Sequence, residues 1–174
     1  MKQLWAPWRM AYIAGEAQKK TKGCIFCLKP KQRRDESNLI VFRGKKAFVV
    51  MNIFPYNNGH LMIAPYRHIG ELGKLSDAEM LEMMQLAQRC QRAMDGLMRP
   101  DGYNLGFNLG RTAGAGIADH VHLHLVPRWN GDTNFMPALA EVKVVPEHLD
   151  QTYLKLKPAF ARLGKGPGRR KKAS

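Results

Sequence analysis

Short, mostly apolar runs bounded by turn residues occupy residues 38–43, 46–52 and 60–65 of the chain. Runs of this length, rich in β-branched, aromatic and other apolar side chains, each predict a strand. Gly44 and the turn-forming Pro55-Tyr-Asn-Asn-Gly59 separate the runs, which makes an antiparallel meander the expected arrangement. At Ser76 the pattern changes. Met80, Met83, Met84, Ala87, Cys90, Met94 and Leu97 recur at helical spacing behind Ser76 and Glu79, an S-x-x-E capping box, and predict a helix over 76–98. The methionine stripe and Cys90 then belong to the core. Pro100-Asp-Gly102 ends this helix, two more strands are expected over 103–109 and 120–127, and a Gly-rich loop divides them. A second helical stretch over 149–163 is interrupted or ended at Pro158. Strands around one long helix define an α+β domain.

Composition sets the class. With 45% hydrophobic and 24% charged residues among 174, the chain is that of one globular domain, and three cysteines are too few and too odd in number for a disulfide framework. No apolar run approaches the ~20 residues of a membrane span, and the N-terminus lacks the pattern of a secretory signal, so a cytoplasmic protein with no membrane partner is expected. Trp5, Trp8, Met10 and Tyr12 make residues 1–22 too apolar to stand free, and this arm is expected to dock on the body or on a second subunit. Residues 23–163 form the body. The last stretch, 164–174, is a basic tail expected to be disordered. The net charge of +14 points to anionic partners; setting aside the five basic residues of the last ten leaves +9, which suits a small polyanion as well as nucleic acid.

Two motifs carry chemistry. In His120-Val-His-Leu-His124, strand alternation projects all three imidazoles from one face. Neighbours about 6.7 Å apart are too distant to share one zinc ion comfortably, so the three are expected to have different tasks. Imidazole can attack phosphorus or move a proton near neutral pH, and the glycines of 106–116 let backbone N–H groups approach an anion. Cys24-Ile-Phe-Cys27 can supply two thiolates to zinc, with His68 and His120 the best-placed remaining ligands. A redox pair is disfavoured by the missing βαβ context, and a plain packing role stays open.

The H-x-H-x-H signature with its apolar followers resembles the histidine triad family of nucleotide hydrolases and transferases. Residues 48–68, with P-x-x-x-G-H before a strand and P-x-x-H after it, are similar to the N-terminal half of that family, and Cys24-x-x-Cys27 to the knuckle of its zinc-binding members. The flanks LWAPWRMAYI and VPRWNGDTNFMP resemble the bacterial diadenosine tetraphosphate phosphorylase branch. The resemblance implies an antiparallel five-stranded sheet with one long helix, sheets joined across a homodimer, and an N-terminal arm adding contacts toward a tetramer. It also implies cleavage of a dinucleoside polyphosphate at the α-phosphate through a nucleotidyl-histidine on His122. His124 and Asn108 then contact phosphate and His60 supports the nucleophile. Asn52 meets the ribose, and Ile25, Phe26, Val50 and Ile53 line the base pocket. A structural zinc on Cys24, Cys27, His68 and His120 is implied, and a divalent cation can accompany the polyphosphate.

One segment departs from the family pattern. Ala115-Gly-Ile-Ala-Asp119 stands where many members carry Gln and Ser or Thr, so backbone amides of Gly114 and Gly116, or Arg111, are expected to serve the phosphates, and the space can admit inorganic phosphate as acceptor in place of water. Other readings are a nucleoside phosphoramidate or adenylate hydrolase on the same site, a zinc-stabilised nucleic-acid-binding module, and a catalytic metal site on the triad. The nucleic-acid reading lacks a basic stripe interleaved with aromatics and leaves the histidine row unexplained.

Overall fold

The computed structural model describes residues 23–132 and 147–164. The expected arm at 1–22 and the tail from 165 onward lie outside them, while Gly164, placed above at the start of the tail, is the last residue of a helix. The elements are α1 (Ile25–Lys31), β1 (Ile40–Arg43), β2 (Ala47–Met51), β3 (Leu61–Pro65), a 3₁₀ turn (Leu72–Lys74), α2 (Asp77–Leu97), β4 (Gly102–Phe107), β5 (Leu123–Arg128) and α3 (Leu149–Gly164). No helix among the described residues is long and apolar enough to cross a membrane.

The five strands form one antiparallel sheet in the order β1-β2-β3-β5-β4. Helix α2 carries the chain from β3 past a gap to β4, and β5 returns into the gap. Its pleat sets the two faces apart. Leu123 and Leu125 join Val41, Val49, Leu61 and Ile63 on the face covered by α2 and α3, whereas His124 pairs across from Met62 on the face that holds Ile40, Phe48, Val50, Ala64 and Phe26. Strands β2 and β3 are therefore buried on both sides, which explains their unbroken apolar runs AFVVM and LMIAP.

Helix α2 turns Met83, Leu86, Ala87, Cys90, Ala93 and Met94 to the sheet, while Met84 and Leu97, expected in the core, are 44% and 43% exposed. The buried stripe is centred on Met83, Leu86, Ala87, Cys90 and Met94, with α3 packed beside α2 on the same face of the sheet. Burial pushes the Cys90 thiol far up, so it is an inert core group. Helix α3 runs through Pro158 instead of ending there: Tyr153, Leu156 and Phe160 pack into the core, and the lost N–H falls opposite Leu154, 54% exposed, on the outer side. Helix α1, a single short element with Pro30 inside it, was not foreseen.

The capping box expected at Ser76 is formed, and it reaches further than the helix. Glu79 accepts from the Ser76 N–H at 2.9 Å and takes a two-point contact from Arg67, at 3.0 and 2.6 Å, so the segment leading to His68 is tied to the start of α2. The Arg67 guanidinium holds the Glu79 carboxyl down to about 2. A carboxylate with a depressed value adds stability above its ordinary pH of 4.5, and that stability is lost as pH falls from there toward 2. Glu79→Ala is expected to cost about 2 kcal/mol at neutral pH, with the difference from the parent shrinking below pH about 4.5 and smallest near pH 2, which thermal melts between pH 6 and 2 will check.

Candidate active site and metal centre

The histidine row does not form one straight strand. Strand β5 begins at Leu123, and the two residues before it are not laddered: the Val121 N–H bonds the Ile69 carbonyl at 2.6 Å, beyond the end of β3. The chain there is free to turn its imidazoles in different directions. The rings of His122 and His124 approach to 4.7 Å between centroids, closer than an extended spacing allows, and His120 faces away into a separate cluster.

That cluster is Cys24, Cys27, His68 and His120, whose ligand atoms all lie within 4.8 Å of one another. Cys24 stands at the N-cap of α1 and Cys27 one turn on; His68 follows β3 and His120 precedes β5. Between Sγ and Nδ1 the separations are 3.4 Å (Cys24, His120), 3.3 Å (Cys27, His68) and 3.6 Å (Cys27, His120), and the two Nδ1 atoms are 3.2 Å apart. A tetrahedral ion about 2.3 Å from sulfur and about 2.05 Å from nitrogen separates S from N by about 3.5 Å and N from N by about 3.3 Å. The donor set fits. His120 gives its Nε2–H to the Pro65 carbonyl at 2.9 Å, which leaves Nδ1 as the bare donor, and burial lowers its pKa to about 4. These four side chains can hold a metal ion, with no position left over for substrate.

The remaining histidines are also fixed by the main chain. His122 donates from Nδ1 to the His120 carbonyl at 2.8 Å, so its Nε2 carries the lone pair. Burial lowers its pKa and keeps the ring neutral. His60 accepts the Tyr56 N–H at Nδ1, at 3.0 Å, and therefore donates from Nε2 to His124 Nδ1 at 2.9 Å. His124 is left with an Nε2–H that is buried without a hydrogen-bond partner, and burial, reinforced by His122, lowers its pKa to about 4. Beside the bare nitrogen of His122 thus stands a buried, unspent N–H. Such a donor is costly unless an incoming acceptor takes it.

The other expected site residues fall into three groups. Asn52 joins this network, its amide nitrogen 3.3 Å from His60 Nδ1 and its oxygen accepting the Phe54 N–H. Phe26 and Val50 are buried in the core on this face, Phe26 with its ring 4.7 Å from that of His122 and 5.2 Å from that of His120, while Ile25 is half-buried and Ile53 is 46% exposed. Asn108, Gly114 and Gly116 lie in the loop between β4 and β5; Gly114 has a positive φ, spends its N–H on the Arg111 carbonyl and accepts weakly from Asn108 at 3.5 Å. Sequence reasoning passed over Tyr56, whose only signal was an aromatic residue four places before His60.

The site is a buried triad of separately oriented imidazoles on an antiparallel sheet crossed by one long helix, with a candidate metal centre beside it. The chain belongs to the HIT family: the HIT domain model matches residues 33–131. It is 41% identical over 168 residues to a Mycobacterium tuberculosis protein named AP-4-A phosphorylase, covering 93% of this chain and 86% of the relative. Among solved structures, a Zn-bound histidine triad family protein from Mycobacterium smegmatis superposes with a TM-score of 0.67 at 24% identity, over 83% of this chain and 98% of that one. A hypothetical histidine triad nucleotide-binding protein from Sulfolobus tokodaii gives 0.67 at 21%, over 86% and 100%. Helix α3 lies beyond the matched family segment yet supplies part of the core.

Proposed function

We propose that this chain cleaves dinucleoside polyphosphates, diadenosine tetraphosphate first among them, through a nucleotidyl-His122 intermediate. The observation that carries the reading is the pairing of a bare His122 Nε2 with the buried, unpartnered N–H of His124. In the first step the Nε2 lone pair attacks the α-phosphorus; an N–P bond forms, the bond to the bridging oxygen breaks, and the nucleoside triphosphate departs. The His124 Nε2–H stabilises charge on the phosphoryl oxygens as it develops. In the second step an oxygen of inorganic phosphate, or of water, attacks the same phosphorus and breaks the N–P bond. Phosphate yields ADP and water yields AMP, beside ATP in each case. Kinship with the M. tuberculosis phosphorylase supports phosphate as the acceptor.

The proposal extends to the surroundings of the site. The ion on Cys24, Cys27, His68 and His120 is zinc in a closed, structural role, as two thiolates and two imidazoles favour. A divalent cation accompanies the polyphosphate. Residues 23–163 act as one HIT domain in the cytoplasm, with 1–22 and 164–174 as appendages. Two copies form a homodimer through β4, an edge strand with Asn104, Leu105 and Gly106 exposed and Leu109 just beyond it. Asn108, Gly116 and Arg111 serve the phosphates, and Asn52, Ile25 and Ile53 the nucleoside.

Incubation with diadenosine tetraphosphate, with and without inorganic phosphate, is expected to give ATP plus ADP only when phosphate is present. ATP plus AMP in both arms will establish hydrolysis instead. No turnover, with an adenosine phosphoramidate still cleaved, will move the same nucleophile to the phosphoramidase reading.

A further inference from the structure

The loop from Asn52 to His60 is held more firmly than delivering one histidine requires. Asn57 donates to the Pro127 carbonyl at 3.2 Å and to Asp132 at 2.8 Å, and Thr152 of α3 donates to Asn58 at 3.1 Å. Both asparagines are 7% exposed. Tyr56, held by these anchors, makes two different contacts with the same pair of imidazoles. Its N–H fills His60 Nδ1, and its ring lies over both His60, at 4.8 Å between centroids, and His124, at 5.8 Å and 22° from parallel. Tyr56 is 37% exposed as a residue, and one face of its ring covers the histidines.

The geometry points to Tyr56 as a positioning residue: its N–H sets the direction of the His60–His124 hydrogen bond, and its ring shuts water away from that pair so that His124 keeps Nε2–H turned toward the phosphate. The direction matters because an imidazole has two neutral tautomers of nearly equal energy, and water at either nitrogen stabilises either one. With water excluded, the chain from the Tyr56 N–H through His60 to His124 permits a single assignment. The other tautomer of His124 would oppose two N–H donors across the 2.9 Å contact and leave a lone pair facing the phosphate oxygens. Asn52, whose amide nitrogen also points at His60 Nδ1, acts in the same sense.

The kinetic part of this inference rests on the nucleotidyl-transfer reading, but its spectroscopic part does not. The test is a long-range imidazole ¹⁵N–¹H correlation on the labelled full chain at neutral pH, beside turnover of diadenosine tetraphosphate, for the parent, Tyr56→Phe and Tyr56→Ala. The parent and Tyr56→Phe are expected to show single Nε2–H tautomers at His60 and His124, with kcat within about two-fold of each other. Tyr56→Ala is expected to show averaged tautomers and a kcat about ten-fold lower at nearly unchanged KM, since a misdirected donor weakens the transition state more than substrate binding. Single tautomers retained in Tyr56→Ala, or mixed tautomers with unchanged kcat, overturns the assignment; loss in Tyr56→Phe equal to that in Tyr56→Ala does so too, by moving the effect to the hydroxyl. A parent that does not turn over the dinucleotide rejects the proposed reaction, while the tautomers still decide the role of Tyr56.

Discussion

Replacing His122 with asparagine is expected to lower the turnover of diadenosine tetraphosphate by about ten-thousand-fold or more while leaving the protein folded. Asparagine keeps an N–H able to reach the His120 carbonyl, so the main-chain contact made by His122 Nδ1 is preserved. The loss is confined to Nε2, the atom that bonds to phosphorus. A covalent nucleophile removed from an otherwise intact site leaves the binding and electrostatic contributions, which account for only part of the rate. His124 and His60 do not replace it: the lone pair of His124 Nδ1 is committed to His60, and that of His60 Nδ1 to the Tyr56 N–H. The check is product chromatography with intact-protein mass spectrometry after a rapid quench. The parent is expected to carry a nucleotidyl adduct and the variant none. Undiminished turnover in the variant would exclude His122 as the nucleophile and turn attention to water activated at the triad.

How much of this was written in the sequence depends on what each element leans against. The strand runs and the long helix were readable, the helix because Ser76 and Glu79 announce its start in local chemistry, but the insertion of β5 between β3 and β4 was not. The histidine segment was readable as chemistry but not as geometry. Alternation predicted three parallel imidazoles, whereas Val121 pairs with Ile69 and His122 bonds back to His120, contacts between distant or irregular segments that no local period encodes. Helix α1 was missed because seven residues containing Pro30 carry no helical period, although the two cysteines at its start were picked out by spacing. The four residues able to hold a metal ion were picked out from sequence and are brought together in the fold, 96 positions apart at the extreme of Cys24 and His120. Phe26 and Val50 show the opposite limit. An apolar side chain reads the same whether it lines a pocket or fills a core, and burial of both on the sheet face behind the triad was a property of packing alone.

Loss of the metal centre is expected to disturb the nucleophile as well as the fold, because the two are built from shared residues. His120 offers Nδ1 to the cluster and its carbonyl to His122, and Phe26, between the two cysteines on α1, lies against both rings. A metal ion on these four side chains would tie together α1, the end of β3 and the approach to β5. The double substitution Cys24→Ser and Cys27→Ser is expected to abolish bound zinc, cost about 3 kcal/mol and lower the melting temperature by about 10 °C. Zinc content per chain by atomic absorption and a thermal melt measure these two effects. The coupling is read separately, from the imidazole ¹⁵N spectrum of the folded variant well below its melting point. Without the cluster to fix His120, the His122 Nδ1–H is expected to lose its single assignment, and turnover to fall by about a hundred-fold. A variant without zinc that keeps the His122 tautomer and its turnover would confine the centre to stability. Chelation of the parent to the same zinc content should release the His122 tautomer in the same way, with both thiols still in place beside His120.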